Sequence, residues 1–230
     1  MPASSKQIMK TFLLFLATII FVSCNSQKNK FDKGRFEGNI YSNDFFGFKV
    51  KVDTPWHILN MNELKQLMNE RTAMLDESGG NGGDYKRRLK EQFDMTEGSK
   101  ADPTKTTHVF LSLTIDTFET MPHVLISCID LENLPQIKSE KDQLIEYVKQ
   151  VKKTYERYPV EITNSEIAEE KIGERTFYTT LLTIKADNYL AFQKKYTLKV
   201  GNKMLLIMTN YNSEIYAHKC LSFLKSIEWK

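Results

Sequence analysis

Apolar residues recur along the chain with two different periods, and the changes of period mark out the elements. Phe46, Phe48, Val50 and Val52 alternate with Gly47, Lys49 and Lys51, the period-two pattern of a strand with one buried face. Asn43-Asp44 places a hairpin turn between this run and "GNIYS". Pro55 ends the ladder because it has no N–H to donate, and Trp56 is expected to pack beneath the sheet edge. From Asn62 the spacing becomes helical through Leu64, Leu67, Met68, Met74 and Leu75, with Asn60 or Asn62 as N-cap. "ESGGNGGD" breaks this pattern, and Tyr85 to Phe93 reads as a short charged helix before the polar loop "MTEGSKADPTKT".

Two strong strand candidates follow, "THVFLSLTIDTF" and "HVLISCIDL", connected through Met121-Pro122. Ser139 caps a helix running to Tyr155, with Leu144, Val148, Val151 and Tyr155 along one face and lysines and glutamates opposite. Pro159 ends it. Acids alternate with lysines in "IEYVKQVKKTYERY", which favours a solvated helix over a sheet rather than a basic membrane helix. Four β-type runs come next, "EITNSEIAEE", "ERTFYTTLLTIKA", "LAFQKKYTLKV" and "KMLLIMTNY". Turns at Ala186-Asp187-Asn188 and Gly201-Asn202 imply an antiparallel meander. A last helix, Ser213 to Ile227, sets Ala217, Cys220, Leu221, Leu224 and Ile227 on one face. Strands grouped in this way, rather than alternating with helices, indicate an α+β fold: an antiparallel sheet covered by helices.

The first residues follow a different logic. Thr11 to Val22 is an uncharged apolar run preceded by Lys6 and Lys10 and followed by Ser23 and Cys24. A positive start, a short apolar segment and a small-residue exit describe an export signal. A spanning helix needs roughly 20 apolar residues, so the run is too short to cross a bilayer comfortably. Met9 is an alternative initiator to Met1. Phe21-Val22-Ser23-Cys24 resembles a bacterial lipobox, with Phe21 where leucine is usual. In such a motif the cysteine thiolate is the nucleophile that takes up a diacylglyceryl group. The expectation is a lipoprotein signal over residues 1–23, lipidation at Cys24, a flexible tether over 24–38 and one domain over 39–230. Ordinary signal cleavage is the alternative.

This reading changes the charge balance. The whole chain carries +3, but residues 1–23 hold two lysines and no acid, which leaves +1 for the remainder. No basic stripe interleaved with aromatics suggests a nucleic-acid footprint. Two cysteines remain, Cys128 and Cys220, too few for a disulfide-built scaffold. Both fall on apolar faces and are expected as buried thiols; a disulfide stays open if their Cα atoms lie within about 7 Å.

"YSNDFFGFKVKVDTPW" resembles the opening of PsbP-like domains, in which an aromatic-rich hairpin runs into a Pro-Trp corner. The order of elements up to "SFLKSIEW" is similar as well, so the resemblance spans roughly residues 39–229, with 76–106 as a local elaboration. It implies a PsbP-like α/β sandwich. Members include an extrinsic photosystem II subunit, a Ran-binding protein and many bacterial lipoproteins without assigned activity. The family shares no catalytic motif, so no catalytic residue carries over.

Candidate chemistry is sparse. "SGGNGGDYKRR" lacks the Lys-Ser/Thr ending of a phosphate-binding loop and follows no strand, so it reads as a connector, with residues 76–84 the most mobile part. His57, His108, His123 and His218 are scattered without metal-ligand spacing. His108 and His123 could meet near one end of paired strands, with a solvent-exposed pair the default. No cofactor, metal or catalytic set is expected. The function expected is that of a membrane-anchored envelope protein with a non-catalytic domain that binds another envelope protein or a small ligand. The alternatives are an envelope hydrolase with a His/Asp site and a hydrophobic-ligand carrier, which needs a large apolar cavity.

Overall fold

The computed structural model describes residues 31–60, 62–66, 69, 93–94, 105–115, 121–156, 159–186 and 189–230. The glycine-rich connector at 76–84, the helix expected from Tyr85, and residues 1–30 lie outside the described residues. Among the described residues no helix is long and apolar enough to cross a membrane.

The alternation of Phe46 to Val52 builds a small antiparallel sheet of order β1-β2-β3-β13. Its strands are β1 (Arg35–Glu37), β2 (Ile40–Asn43), β3 (Phe48–Lys51) and β13 (Glu228–Trp229). All four apolar residues of the run are buried as the pattern predicts. The folded unit starts earlier than expected, at Phe31, so residues 31–38 are not tether. Phe31 packs edge-on against Phe45 and His108, the Tyr41 hydroxyl donates to the Lys33 carbonyl, and β1 pairs with β2. The sequence hid this because "FDKGRFEGN" is polar and has no apolar period.

Among the described residues the second sheet has nine strands, with the path β4-β6-β7-β12-β11-β10-β8. They are β4 (His57–Ile58), β5 (Phe93–Asp94), β6 (Thr107–Thr114), β7 (His123–Asp130), β8 (Glu161–Asn164), β9 (Ala168–Ile172), β10 (Arg175–Ala186), β11 (Tyr189–Val200) and β12 (Lys203–Tyr211). All pairings are antiparallel except β5 with β6, so Phe93 is strand where a helix end was expected. "EITNSEIAEE" is two strands, not one, both paired to β10. The meander β10-β11-β12 is antiparallel as expected, and Val200 pairs with Lys203 across Gly201-Asn202, with Gly201 at φ +61; Asp187-Asn188 of the other expected turn lie outside the described residues. A two-residue hairpin demands such a left-handed position, which glycine adopts without strain.

Two α-helices complete the described residues, besides a helical turn at 62–66 capped by the Asn60 side chain and a 3-10 turn, Leu131–Asn133, capped by Asp130. Helix α1 (Glu140–Tyr155) starts with a capping box between Ser139 and Asp142, and touches β10 and β11. Helix α2 (Glu214–Lys225) is capped by Ser213 and lies against β12. The main core lies between the small sheet with α2 and one face of the large sheet. Phe48, Val50, Leu111, Ile126, Phe177, Leu205, Phe223 and Leu224 belong to it. Leu221 does not: it is 42% exposed, while Phe223 is buried in its place. Trp56 is half-buried and tilts against Phe223, 5.4 Å between ring centroids.

Candidate functional site

The other face of the large sheet buries a small apolar cluster around Ile129, Met204 and Leu206, and beside it a run of residues that are polar although buried. Along β11, Gln193, Lys195 and Thr197 share one side, and the register sets them beside Asn210 and Met208 on β12 and Thr180 on β10. The same side continues to His123 on β7 and Ser112 on β6. Ser112, His123 and Asn210 are 1%, 7% and 6% exposed. Buried polar groups cost stability unless they are hydrogen-bonded.

Here they are bonded to one another. The Tyr147 hydroxyl of α1 donates to Gln193 Oε1, and Gln193 Nε2 donates to Asn210 Oδ1 at 2.5 Å. Asn210 Nδ2 contacts His123 Nδ1 at 3.3 Å, and His123 Nε2 contacts Ser112 Oγ at 2.8 Å. The amide nitrogen can only donate, so His123 Nδ1 accepts and the ring hydrogen sits on Nε2. Ser112 Oγ therefore receives a hydrogen bond from the imidazole. A serine nucleophile needs the reverse, with its own proton given to the ring.

Lys195 stands beside this lane with no such support. It is 7% exposed, and its Nζ lies 4.0 Å from the centre of the Tyr147 ring. Among the described residues its Nζ has neither a hydrogen bond nor an ion pair. A cation over an aromatic face gains about 0.5–2 kcal/mol. Burying an ammonium costs several kcal/mol, so burial wins and the neutral amine is favoured. The Lys195 pKa is accordingly depressed to about 7, with burial the sole cause. One turn away on α1, the Gln143 amide oxygen is buried without a partner. Burial, and to a lesser extent the neighbouring Tyr155, push the Tyr147 phenol well above its ordinary range.

A second feature lies on the core side, where α2 meets β11 and β12. A cavity of about 230 Å³ is lined by Lys194, Tyr196, Thr209, Tyr211, Cys220 and Leu221, among others. Lys194 is held by Glu170 at 2.6 Å, which anchors the cation at the wall. Burial raises the Tyr196 and Tyr211 phenols and pushes the Cys220 thiol up to about 12. A thiol that stays protonated is a poor nucleophile.

The four histidines do not converge. His57 is exposed beside Glu63, 3.4 Å away, and His218 is exposed on α2 at the cavity. His108 pairs with Cys128 and His123 with Thr114, at opposite ends of the antiparallel β6–β7 ladder. The sequence allows them to meet near one end of paired strands, as an exposed pair by default; they do not meet, because antiparallel strands place their starts at opposite ends, and both are buried. Cys128 and Cys220 are both buried free thiols. Among the described residues no group of three or more His, Cys, Asp or Glu could hold a metal ion. Cys24 lies outside the described residues.

The sequence reading missed the lane and Lys195. "LAFQKKYTLKV" shows its apolar alternation on the Phe192, Tyr196 and Leu198 side, so the other side looks solvated. The available signal was the one-sided helix that the sequence places before the meander: an amphipathic helix needs an apolar or half-buried surface to cover, and β10 and β11 supply it.

Comparison with known proteins adds a likeness of fold. No family model matches the chain, and no curated protein matches it. The solution structure of PsbP from the cyanobacterium Synechocystis sp. PCC 6803 is similar, with a TM-score of 0.48 and 10% identity, over 86% of this chain and 98% of that chain.

Proposed function

We propose that the chain is an envelope lipoprotein, held to a membrane by acyl chains on Cys24. Its domain, read as a PsbP-like sandwich with helices over the sheet, binds another envelope protein and catalyses no reaction. The observation that carries the non-catalytic reading is the closed lane Tyr147–Gln193–Asn210–His123–Ser112. It is the nearest approach to a catalytic array among the described residues, yet its members satisfy one another, and Ser112 at 1% exposure leaves no room for a substrate. The hydrolase alternative also wants a carboxylate behind the imidazole, where Asn210 stands.

The cavity beside α2 is the place for the partner. Small-molecule sites usually measure about 300–1,000 Å³. At about 230 Å³ the cavity suits one inserted apolar side chain better than a whole ligand, and a lipid carrier needs more room. Leu221, exposed at its edge, is a ready contact for such a side chain. Anchoring rests on Lys6, Lys10, the uncharged run and Cys24; two or three acyl chains at about 0.8 kcal/mol per buried methylene hold a domain stably.

Mass spectrometry of the native protein tests the anchor, which is expected as a lipid on an N-terminal Cys24. Cys24→Ala should release the domain from membranes. Retention of that variant after a high-salt wash would reject the anchor. Cross-linking in cells should capture a neighbour with the native chain and lose it with Leu221→Lys. An unchanged cross-linking pattern would reject this groove as the binding surface.

A further inference from the structure

Helix α1 rests on β10 and β11 over an amine that has no counter-charge. We propose that Lys195 couples the docking of α1 to proton release: the helix seats fully over the neutral amine, and proton uptake by Lys195 favours a lifted helix in which the ammonium reaches water.

The geometry is specific. Tyr147 is the point where α1 meets both Lys195, through its ring, and the polar lane, through its hydroxyl on Gln193. Nζ lies over the ring face with no carboxylate paired to it among the described residues, so lifting α1 would give the ammonium the water that burial denies it. The groups set beside Lys195 by ring contact and register are uncharged: Tyr147 from α1, Thr180 from β10, Met208 from β12, and Gln193 and Thr197 on its own strand. Charges on this face, Lys141 of α1 and Glu169, are engaged at Tyr178, one pair further along β10. The acids of α1 are engaged elsewhere. Glu140 accepts from the Lys199 N–H, Asp142 closes the capping box, and Glu146 bonds Gln150 and lies beside Lys149. No charged neighbour contributes to the shift of Lys195, whose pKa of about 7 reflects burial alone.

The sign follows from linkage. A lysine whose pKa is lowered on docking disfavours docking wherever the undocked form is protonated and the docked form is not. Docking therefore weakens as pH falls from about 10.4 toward 7, and levels off below 7. Between pH 9 and pH 7 the opening equilibrium of α1 should rise by roughly fiftyfold. Histidine ordinarily titrates lower, so a contribution from His123 would appear as a change below pH 7.

Amide hydrogen exchange of α1 in the full chain, corrected for the intrinsic pH dependence of exchange, reads this opening. The wild type should show the rise from pH 9 to pH 7 and a plateau beneath it. Lys195→Met should flatten the profile, and His123→Gln should keep it. A 13C titration of the Lys195 Cε in the wild type gives a second readout that needs no variant, with a midpoint expected near 7. A midpoint at the ordinary lysine value, or a Lys195→Met profile that keeps the slope, would overturn the proposal.

Discussion

Asp130 and Lys203 are cross-strand partners at the end of β7 and the start of β12, and their side chains close an ion pair beneath the ring of Phe31. The side chains are 13% and 10% exposed, so the pair is shielded from water on most sides. Phe31, the first residue of the folded unit, supplies part of that shield. Removing one member of such a pair leaves the other charge buried and alone, which typically costs about 3–5 kcal/mol. Asp130→Asn should lower the unfolding free energy read from urea titration by that order, with a correspondingly lower midpoint, and Phe31→Ala should lower it by less. An unchanged midpoint for Asp130→Asn would mean that the pair is solvated.

The two leucines of α2 should behave differently although they are three residues apart. Leu224 is 1% exposed and Leu221 is 42% exposed. Leu224→Ala is expected to cost about 2–5 kcal/mol through lost burial and a residual cavity. Leu221→Ala should stay within about 0.5 kcal/mol, as surface changes do. Thermal melts of both variants give the comparison directly, and equal losses would contradict the orientation of the helix.

His123 is a structural residue of the buried lane, and its removal strands two partners. His123→Ala takes a donor from Ser112 and an acceptor from Asn210. Each buried polar group left unsatisfied costs about 1–3 kcal/mol. Chemical denaturation should show a loss of that order, whereas His57→Ala, at an exposed site, should change little. A stable His123→Ala chain would show that the lane carries no weight in the fold.

Burial keeps both core thiols protonated, with Cys128 raised strongly and Cys220 pushed up to about 12. A thiol-specific reagent at pH 8 should label neither in the folded domain and both in denaturant. The folded thiols resist ionisation that the unfolded chain permits above its ordinary value of about 8.5. Stability should therefore decline as pH rises beyond that point toward 12. Rapid labelling of the folded chain would contradict this burial.

Much of the fold was legible because it rests on local periodicity. The alternation from Phe46 to Val52, the one-sided helix from Ser139, and the two-residue turn at Gly201-Asn202 each declare themselves within a few residues. The C-terminal helix was legible as an element but not in its facing. Leu221 and Phe223 are both compatible with an apolar stripe, and only packing against Trp56 chose Phe223. The start of the domain was hidden for the same reason. "FDKGRFEGN" has no period of its own, and Phe31 is held by Phe45, His108 and Phe110, residues far along the chain.

What the sequence determined by itself was the α+β class, the meander, the expectation of an export and attachment signal ending at Cys24, and the absence of any metal-ligand or catalytic spacing among its histidines. Only the tertiary structure decided that His123, Ser112, Asn210, Gln193 and Tyr147 form one chain, because four strands and a helix each contribute to it. It decided too that Lys195, one of two adjacent lysines, is buried and near neutrality, while Lys194 is paired with Glu170. Two neighbours on a strand point to opposite faces, and a sequence cannot say what lies over each. The charge of a lysine depends on whether water or a helix covers it, and that is settled by packing between distant segments.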